Sequence, residues 1–315
     1  YRHLFPPRKL LLVYENQKAL KLLGKFQKRG DRYQIERIAC CDETSKEEIV
    51  RLAGKYDGVI LNDIPTSIRN YVLKECFQKS IRVYMTPKIS DILVRSSAEM
   101  HTFDTPLLLS RNNGLTPEQQ LGKRCLDVAV SFLMLIIASP FMMITALAVK
   151  LYDGGSVFYS QLRLTKDGKE FGVLKFRSMK VNAEKDGVAR LSSGDNDPRI
   201  TPVGRFIRKC RIDELPQLLN VLKGDMSLVG PRPERPEIAA EYETWLPQFK
   251  SRLKVKAGLT GYAQIYGKYN TTPYDKLKLD LTYIQNYSFV MDLKLILLTV
   301  KILFMKESTE GVEDK

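Results

Sequence analysis

Two acidic residues stand side by side at Asp213 and Glu214, inside the run Arg211-Ile-Asp-Glu-Leu-Pro-Gln217. Leu215, Leu218, Leu219 and Leu222 recur at i, i+3, i+4 and i+7, the spacing of an apolar helix stripe. Pro216 suits a first helical turn, where a missing N–H leaves no bond unmade. The pattern predicts both carboxylates at a helix N-terminus, where the macrodipole favours negative charge and keeps an aspartate ionised. Ordinary caps look the same, so the pair alone decides nothing; its surroundings supply the chemistry. Arg199, Arg205, Arg208 and Arg211 precede it, and Gly230-Pro-Arg-Pro233 and Arg235 follow. The three-residue spacing of Arg205, Arg208 and Arg211 predicts one shared helix face. Guanidinium forks match phosphate oxygens two at a time. Carboxylates beside such a cluster point to phosphoryl transfer.

The whole run from Asp197 to Pro233, through Thr-Pro-Val-Gly-Arg205, Asp-Glu-Leu-Pro-Gln217 and Gly-Pro-Arg-Pro233, resembles the bacterial sugar transferases. These are monotopic phosphoglycosyl transferases acting on polyprenol phosphate, here in the large form with a leading Rossmann-like domain. The resemblance extends from about Lys123 to about Phe304. It implies that Asp213 is the nucleophile and that Glu214 orients metal or handles protons. It also implies Mg²⁺ held by Asp213 and Glu214. Arg199, Arg208 and Arg232 are then the phosphate-binding arginines, with Pro231 and Pro233 fixing the loop that presents Arg232. Lys175 and Arg177, in Lys-Phe-Arg-Ser-Met179, are implied as phosphate or nucleotide contacts, although their types alone fit a solvated strand face. Gly258-Leu-Thr-Gly-Tyr-Ala-Gln264 also resembles a family motif, with no chemistry readable from its residues.

The chain has 315 residues and a formal net charge of +14. Residues 1–122 carry 20 basic and 14 acidic side chains; residues 123–315 carry 30 and 22. Such a surface suits an anionic membrane, a phosphorylated substrate or nucleic acid. No zinc-finger spacing or RNP-like strand is present, so no nucleic-acid partner is expected. Five scattered cysteines, none in a CxxC pair, fit a reducing compartment as small buried hydrophobes. His3 and His101 leave no histidine metal cluster and no histidine triad. The sequence starts at Tyr1 without a signal peptide, which is expected of a piece lacking earlier sequence.

Apolar runs at 9–15, 33–41, 57–61 and 81–85 alternate with helical patterns at 19–27, 46–55 and 68–78, which argues a parallel α/β sheet. No GxGxxG follows the first strand, so dinucleotide binding is not expected. The fold class is thus α/β: a Rossmann-like, CoA-binding-like parallel-sheet domain over 1–110, then an α+β membrane-associated transferase domain. Larger members of the resembled family place membrane spans ahead of the first domain; none lies in residues 1–110. That domain is expected to be regulatory. Residues 111–122 form a polar linker, 123–306 the transferase domain and 307–315 a disordered tail.

Residues 126–151 are apolar for long enough to cross a bilayer. Ser139-Pro140 sits mid-segment, where proline removes a helix bond. Lys123 and Arg124 flank one end; Lys150, Arg163, Lys166 and Lys169 flank the other. Basic flanks belong on the cytoplasmic side. A re-entrant helix–break–helix meets both facts, and the family carries such a hairpin; a simple spanning helix is the alternative. Residues 157–179 predict short strands and turns, and 180–197 a polar lid. Residues 289–305 suit a helix in the membrane interface with Lys294 and Lys301 outward, or else a core helix.

The activity implied by the resemblance is transfer of a phosphosugar from a UDP-sugar to polyprenol (undecaprenyl) phosphate, releasing UMP, through an aspartyl intermediate. This would be the first membrane step of polysaccharide or glycoconjugate synthesis, at the cytoplasmic face of the inner membrane. The partners are the UDP-sugar, polyprenol phosphate and membrane lipid, with a homo-oligomer left open. The alternative is a catalytically inactive membrane-bound scaffold or regulator.

Overall fold

In the computed structural model, the described residues are 6–15, 21–27, 30–102, 104–110, 114–181, 197–267 and 271–303. Residues 182–196 of the lid expected over 180–197, and the tail over 307–315, lie outside them. The chain divides into two compact units, Tyr1–Ser90 and Asp91–Lys315.

The first unit is built on four parallel strands: β1 (Arg8–Tyr14), β2 (Tyr33–Cys40), β3 (Gly58–Asn62) and β4 (Arg82–Met85). Their order is β2-β1-β3-β4. Side chains alternate across a strand, so β1 feeds two cores. Leu11 and Val13 pack with Ile49, Val50, Val72 and Cys76 of α2 (Lys46–Ala53) and α3 (Thr66–Gln78). Leu10 and Leu12 face the other way, toward Leu22, Leu23 and Phe26 of α1 (Lys21–Gln27). A central strand covered on both faces reads as a continuous apolar run, and this one does. The predicted strands and helices of this unit are present within a residue or two.

The second unit opens with α4 (Ile89–Arg95) at its boundary and an antiparallel hairpin, β5 (Ala98–Thr102) and β6 (Thr105–Leu109). Among the described strands this hairpin pairs with itself alone, and the division at Ser90 falls ahead of the boundary expected at 110. Next comes α5 (Pro117–Asp153), started by a Thr116–Gln119 capping box and ended by left-handed Gly154. It is the one described helix long and apolar enough to cross a membrane. Only one stripe of it is covered: Lys123, Asp127, Ser131, Ala138, Thr145 and Val149. The helix runs through Ser139-Pro140, where the sequence predicted a break. The reason is local. Proline removes the donor for the Ile136 carbonyl, and the Ser139 hydroxyl donates to that carbonyl instead, at 2.9 Å.

A second hairpin follows, β7 (Phe158–Leu164) with β8 (Glu170–Phe176), then α6 (Pro202–Lys209) and α7 (Gln217–Lys223). Strand β9 (Ser227–Val229) pairs in parallel with β10 (Gly258–Thr260), with α8 (Pro236–Trp245) between them. The described chain closes with α9 (Tyr262–Tyr266), α10 (Pro273–Gln285) and α11 (Phe289–Leu303). Helix α11 turns Asp292 and Leu295 inward and leaves Phe289, Val290, Leu293, Leu297 and Val300 exposed beside Lys294. A fully buried core helix is thereby excluded.

Buried charge ties this unit together. Lys123 of α5 donates to Asp292 of α11 at 2.6 Å and to the Tyr283 hydroxyl at 3.1 Å. Tyr283 in turn donates to Asp292 at 2.8 Å. Asp127, one turn along α5, accepts from the Ser227 hydroxyl and the Leu228 N–H, both at 3.0 Å. The fork of Arg124 grips the Val221 and Leu222 carbonyls at the end of α7, each at 2.6 Å. Each of these charges has a partner, as burial demands.

Candidate active site

Helix α6 ends at Lys209, so Arg211 does not share its face with Arg205 and Arg208. Arg211 instead takes a left-handed backbone, φ 58°, just past the helix end. Its N–H bonds the Arg208 carbonyl at 3.1 Å. A side chain in that conformation costs about 1–2 kcal/mol relative to the right-handed region, and glycine is the usual occupant at such helix ends. A 3₁₀ turn, Ile212–Glu214, then carries the two carboxylates into α7. The predicted stripe is shifted: Leu218 and Val221 are buried with Gln217 and Asn220, while Leu219 faces out. Asn220 has a reason to be inside. Its amide accepts from the Leu174 N–H and donates to the Gly172 carbonyl, both at 2.9 Å, docking α7 on β8.

That docking delivers Lys175 to Glu214, Nζ to Oε1, at 3.2 Å. Arg232 reaches the same oxygen at 3.0 Å. Arg211 stands 3.9 Å from the other oxygen, Oε2. Burial by itself would raise the Glu214 pKa, but Arg232, Lys175 and Arg211 outweigh it and hold the group well below the carboxylate range. Asp213 goes the opposite way. Burial, then the charge of Glu214, push its pKa up against the pull of Lys175, Arg208 and Arg211. A helix dipole alone would lower this pKa; desolvation and the neighbouring carboxylate outweigh it and set the direction upward. Asp213 is buried, and its Oδ1 has no hydrogen-bond partner. The neighbours are thus divided into one neutralised carboxylate and one with an oxygen left open.

The Arg232 loop is held from behind. The Pro231 carbonyl accepts from Gly258 N–H at 2.9 Å, that of Arg232 from the Arg252 guanidinium at 2.8 Å. The Pro233 carbonyl accepts from Arg163 at 3.2 Å, and that of Glu234 from the Leu164 N–H at 3.0 Å. Arg252 is itself buried against Asp280 at 2.8 Å and Glu234 at 3.4 Å, and Lys276 reaches Glu234 at 2.7 Å. The Gly258-Leu-Thr-Gly261 motif now has a role. A Cβ at Gly258 would fall 2.1 Å from the Gly230 nitrogen, so only glycine lets the two loops touch.

The structure brings together Asp213, Glu214, Lys175 and Arg232, with Pro231 and Pro233 in the supporting loop. Three other predicted residues have partners of their own. Arg177 is committed to both oxygens of Asp153 and to the Ser156 carbonyl, at 2.6 Å, so it braces the end of α5. Arg199 forks onto Asp197, at 2.6 and 2.9 Å. Arg208 donates to the Ser178 hydroxyl at 2.8 Å and acts on Asp213 through its charge. Ser139 and Pro140 lie on α5, as described. Sequence reasoning missed Arg252, Asp280 and Asn220. Nothing in a sequence separates a buried charge from a solvated one, whereas Lys123, Asp127 and Ser131 carry a usable signal: polar residues four apart on an apolar helix.

A profile described as bacterial sugar transferase matches residues 118–306, more than half of the chain. UDP-glucose:undecaprenyl-phosphate glucose-1-phosphate transferase of Escherichia coli (strain K12) is 42% identical over 203 residues, covering 63% of this chain and 42% of that protein. UDP-N-acetylgalactosamine-undecaprenyl-phosphate N-acetylgalactosaminephosphotransferase of Aeromonas hydrophila is 34% identical over 258 residues, 79% of this chain and 59% of that protein. A Caulobacter vibrioides relative named like the first is 39% identical over 211 residues, 65% of this chain and 78% of that protein. The chain spans about half the length of the first two of these relatives. From its site geometry and these matches, the chain belongs to the bacterial sugar transferase family.

Proposed function

We propose that this chain transfers a phosphosugar from a UDP-sugar to polyprenol phosphate and releases UMP. The observation that carries the reading is the division of labour between Asp213, with an open oxygen, and Glu214, neutralised by Lys175 and Arg232. The relatives' names supply the substrate classes, since they act on UDP-glucose or UDP-N-acetylgalactosamine and undecaprenyl phosphate.

In the first step the Asp213 carboxylate attacks the β-phosphorus. An oxygen–phosphorus bond forms and the bond to UMP breaks, with UMP leaving as the phosphate anion. The result is an acyl phosphate carrying the sugar. In the second step an oxygen of polyprenol phosphate attacks the same phosphorus. The acyl bond breaks, and the Asp213 carboxylate is regenerated. The raised pKa of Asp213 makes it a stronger nucleophile once ionised. Arg232 and Lys175, already held in place by Glu214 Oε1, offset the charge that develops on phosphoryl oxygens.

Mg²⁺ fits the donor set. Asp213 Oδ1 is unpartnered, and Glu214 Oε2 has Arg211 as its nearest ion-pair partner at 3.9 Å. The described residues contain no group of three ligating side chains, so diphosphate oxygens and water would complete the shell, as is usual for this ion. When bound, it would neutralise phosphate charge.

The finer fold readings belong here too. The four-stranded order and two-sided cover of the first unit support a Rossmann-like, regulatory domain. The exposed apolar face of α5, the basic residues at both its ends and the bond that proline removes at Ser139-Pro140 support a re-entrant segment that bends there and returns to the cytoplasmic face, with α11 lying in the interface. Cysteines placed near 123 and 152 in turn should label from the same side of the membrane; labelling of opposite sides would establish a spanning helix.

The function is tested with a panel of UDP-sugars, scoring UMP release with polyprenol phosphate present. A second arm quenches protein and radiolabelled donor without acceptor. Label bound to the wild type and absent from Asp213→Asn is expected. No UMP release from any donor would favour a catalytically inactive scaffold.

A further inference from the structure

We infer that Arg211 is a phosphoryl-binding residue, placed at the mouth of the site to take an oxygen of the substrate's phosphate groups. The inference rests on the transferase reading above and adds a residue to it. Three observations converge. First, Arg211 occupies the left-handed position that closes α6, where glycine fits without strain. An arginine there carries a backbone cost that glycine would not. Second, the contact that the side chain makes does not account for it. It stands 3.9 Å from Glu214 Oε2 and its side chain is 42% exposed, so the pair is loose and solvent-screened. Glu214 already has two closer cations on its other oxygen, Lys175 at 3.2 Å and Arg232 at 3.0 Å. Third, Arg211 lies two residues from Asp213 and acts on it through its charge, and Asp213 Oδ1 has no hydrogen-bond partner of its own. A fork that is loosely held beside a nucleophile can turn to a phosphate as it arrives, whereas Arg232 is fixed in advance. The two arginines thus play different parts: one preorganised, one recruited by the ligand.

The phosphate could come from the donor diphosphate or from the lipid acceptor, and the test separates them. UDP binding is measured without lipid on wild type, Arg211→Gly, Arg211→Asn and Arg211→Lys, and the KM for polyprenol phosphate is measured on the same proteins. Glycine and asparagine both accept the left-handed backbone, so both variants should fold, with a melting temperature at or above wild type. About tenfold weaker UDP binding in both, with partial recovery in Arg211→Lys, assigns the residue to the donor. About a tenfold rise in KM for polyprenol phosphate with UDP binding unchanged assigns it to the acceptor. An active wild type whose Arg211→Gly and Arg211→Asn variants match it in both measurements overturns the inference and leaves the transferase reading standing. A wild type that neither binds UDP nor releases UMP overturns both.

Discussion

The two units solve burial in opposite ways. In the first, Leu10, Leu11, Leu12 and Val13 are sealed between helix layers, and Asn62 and Arg69 are the buried polar residues among those described. In the second, α5 turns Phe132, Ile137, Phe141, Met143 and Ile144 outward, while Lys123, Asp127, Asp213, Arg252, Asp280 and Asp292 are buried. The first follows the rule for a chain dissolved in water. The second has an exposed apolar patch of the kind that marks a membrane or partner surface, and its interior is specified by charge. One rule for reading hydrophobicity would misplace one of the two.

The largest expected effect is at the buried nucleophile. Asp213→Asn should abolish UMP release, a loss of at least about 1,000-fold given that no covalent step is left. Its stability should move the other way. The folded pKa of Asp213 is raised, so the ionised group opposes folding once pH exceeds that value. The variant should equal or exceed wild type in melting temperature at neutral pH, with the gain shrinking as pH falls through the folded pKa toward the unfolded one. A variant less stable than wild type at pH 7 would show that Asp213 is structural.

Asp292→Ala should be next. It strands Lys123 in the interior, and removing one partner of a buried pair costs about 3–5 kcal/mol. Denaturation in detergent would measure it. Lys123→Met combined with Asp292→Leu should recover much of the loss, because no charge is then left alone. In the first unit no such rescue is available: Leu12→Ala should cost about 2–5 kcal/mol through its cavity.

The comparison is sharpened most directly by one change made twice. Phe77 is 84% exposed in the first unit, and Phe77→Asp should shift stability by no more than about 0.5 kcal/mol. Ile137, 56% exposed on α5, should respond differently. Ile137→Asp near the middle of a lipid-embedded helix costs about 3 kcal/mol of insertion and should move protein from the membrane fraction to the soluble one. Equal tolerance at both positions would mean that α5 faces water.

Arg232→Lys is the mildest. It keeps charge and loses the fork, so turnover should fall by about 10- to 100-fold with the fold unchanged. Wild-type turnover would remove the fork from the chemistry.

Much of the first unit was legible because each strand is a short apolar run bounded by turns, and each helix an amphipathic segment. The carboxylate pair, Lys175 and Arg232 were legible from residue type and resemblance. The pairings of Arg177 with Asp153 and of Arg199 with Asp197 were not, because residue type does not say which carboxylate a fork meets. Leu219 faces out because Asn220 must face in to bond β8, a tertiary demand that overrides periodicity. Helical hydrogen bonding continues past Pro140 because the Ser139 hydroxyl takes the carbonyl that proline leaves, a local bond that periodicity does not reveal.

The pair of Lys123 and Asp292 spans 169 residues, and that interval is also a time. At roughly 5–20 residues per second, the lysine is added roughly 8–34 s before its counter-ion. Until then the start of α5 carries a cation that has no interior to enter, and it must wait in water at the membrane surface. The second unit is therefore expected to close last on its C-terminal helix. Ribosome-stalled chains ending at residue 286 should be cut by protease near Lys123, and chains stalled well past residue 303 should be protected there; early protection would show that the unit closes without α11.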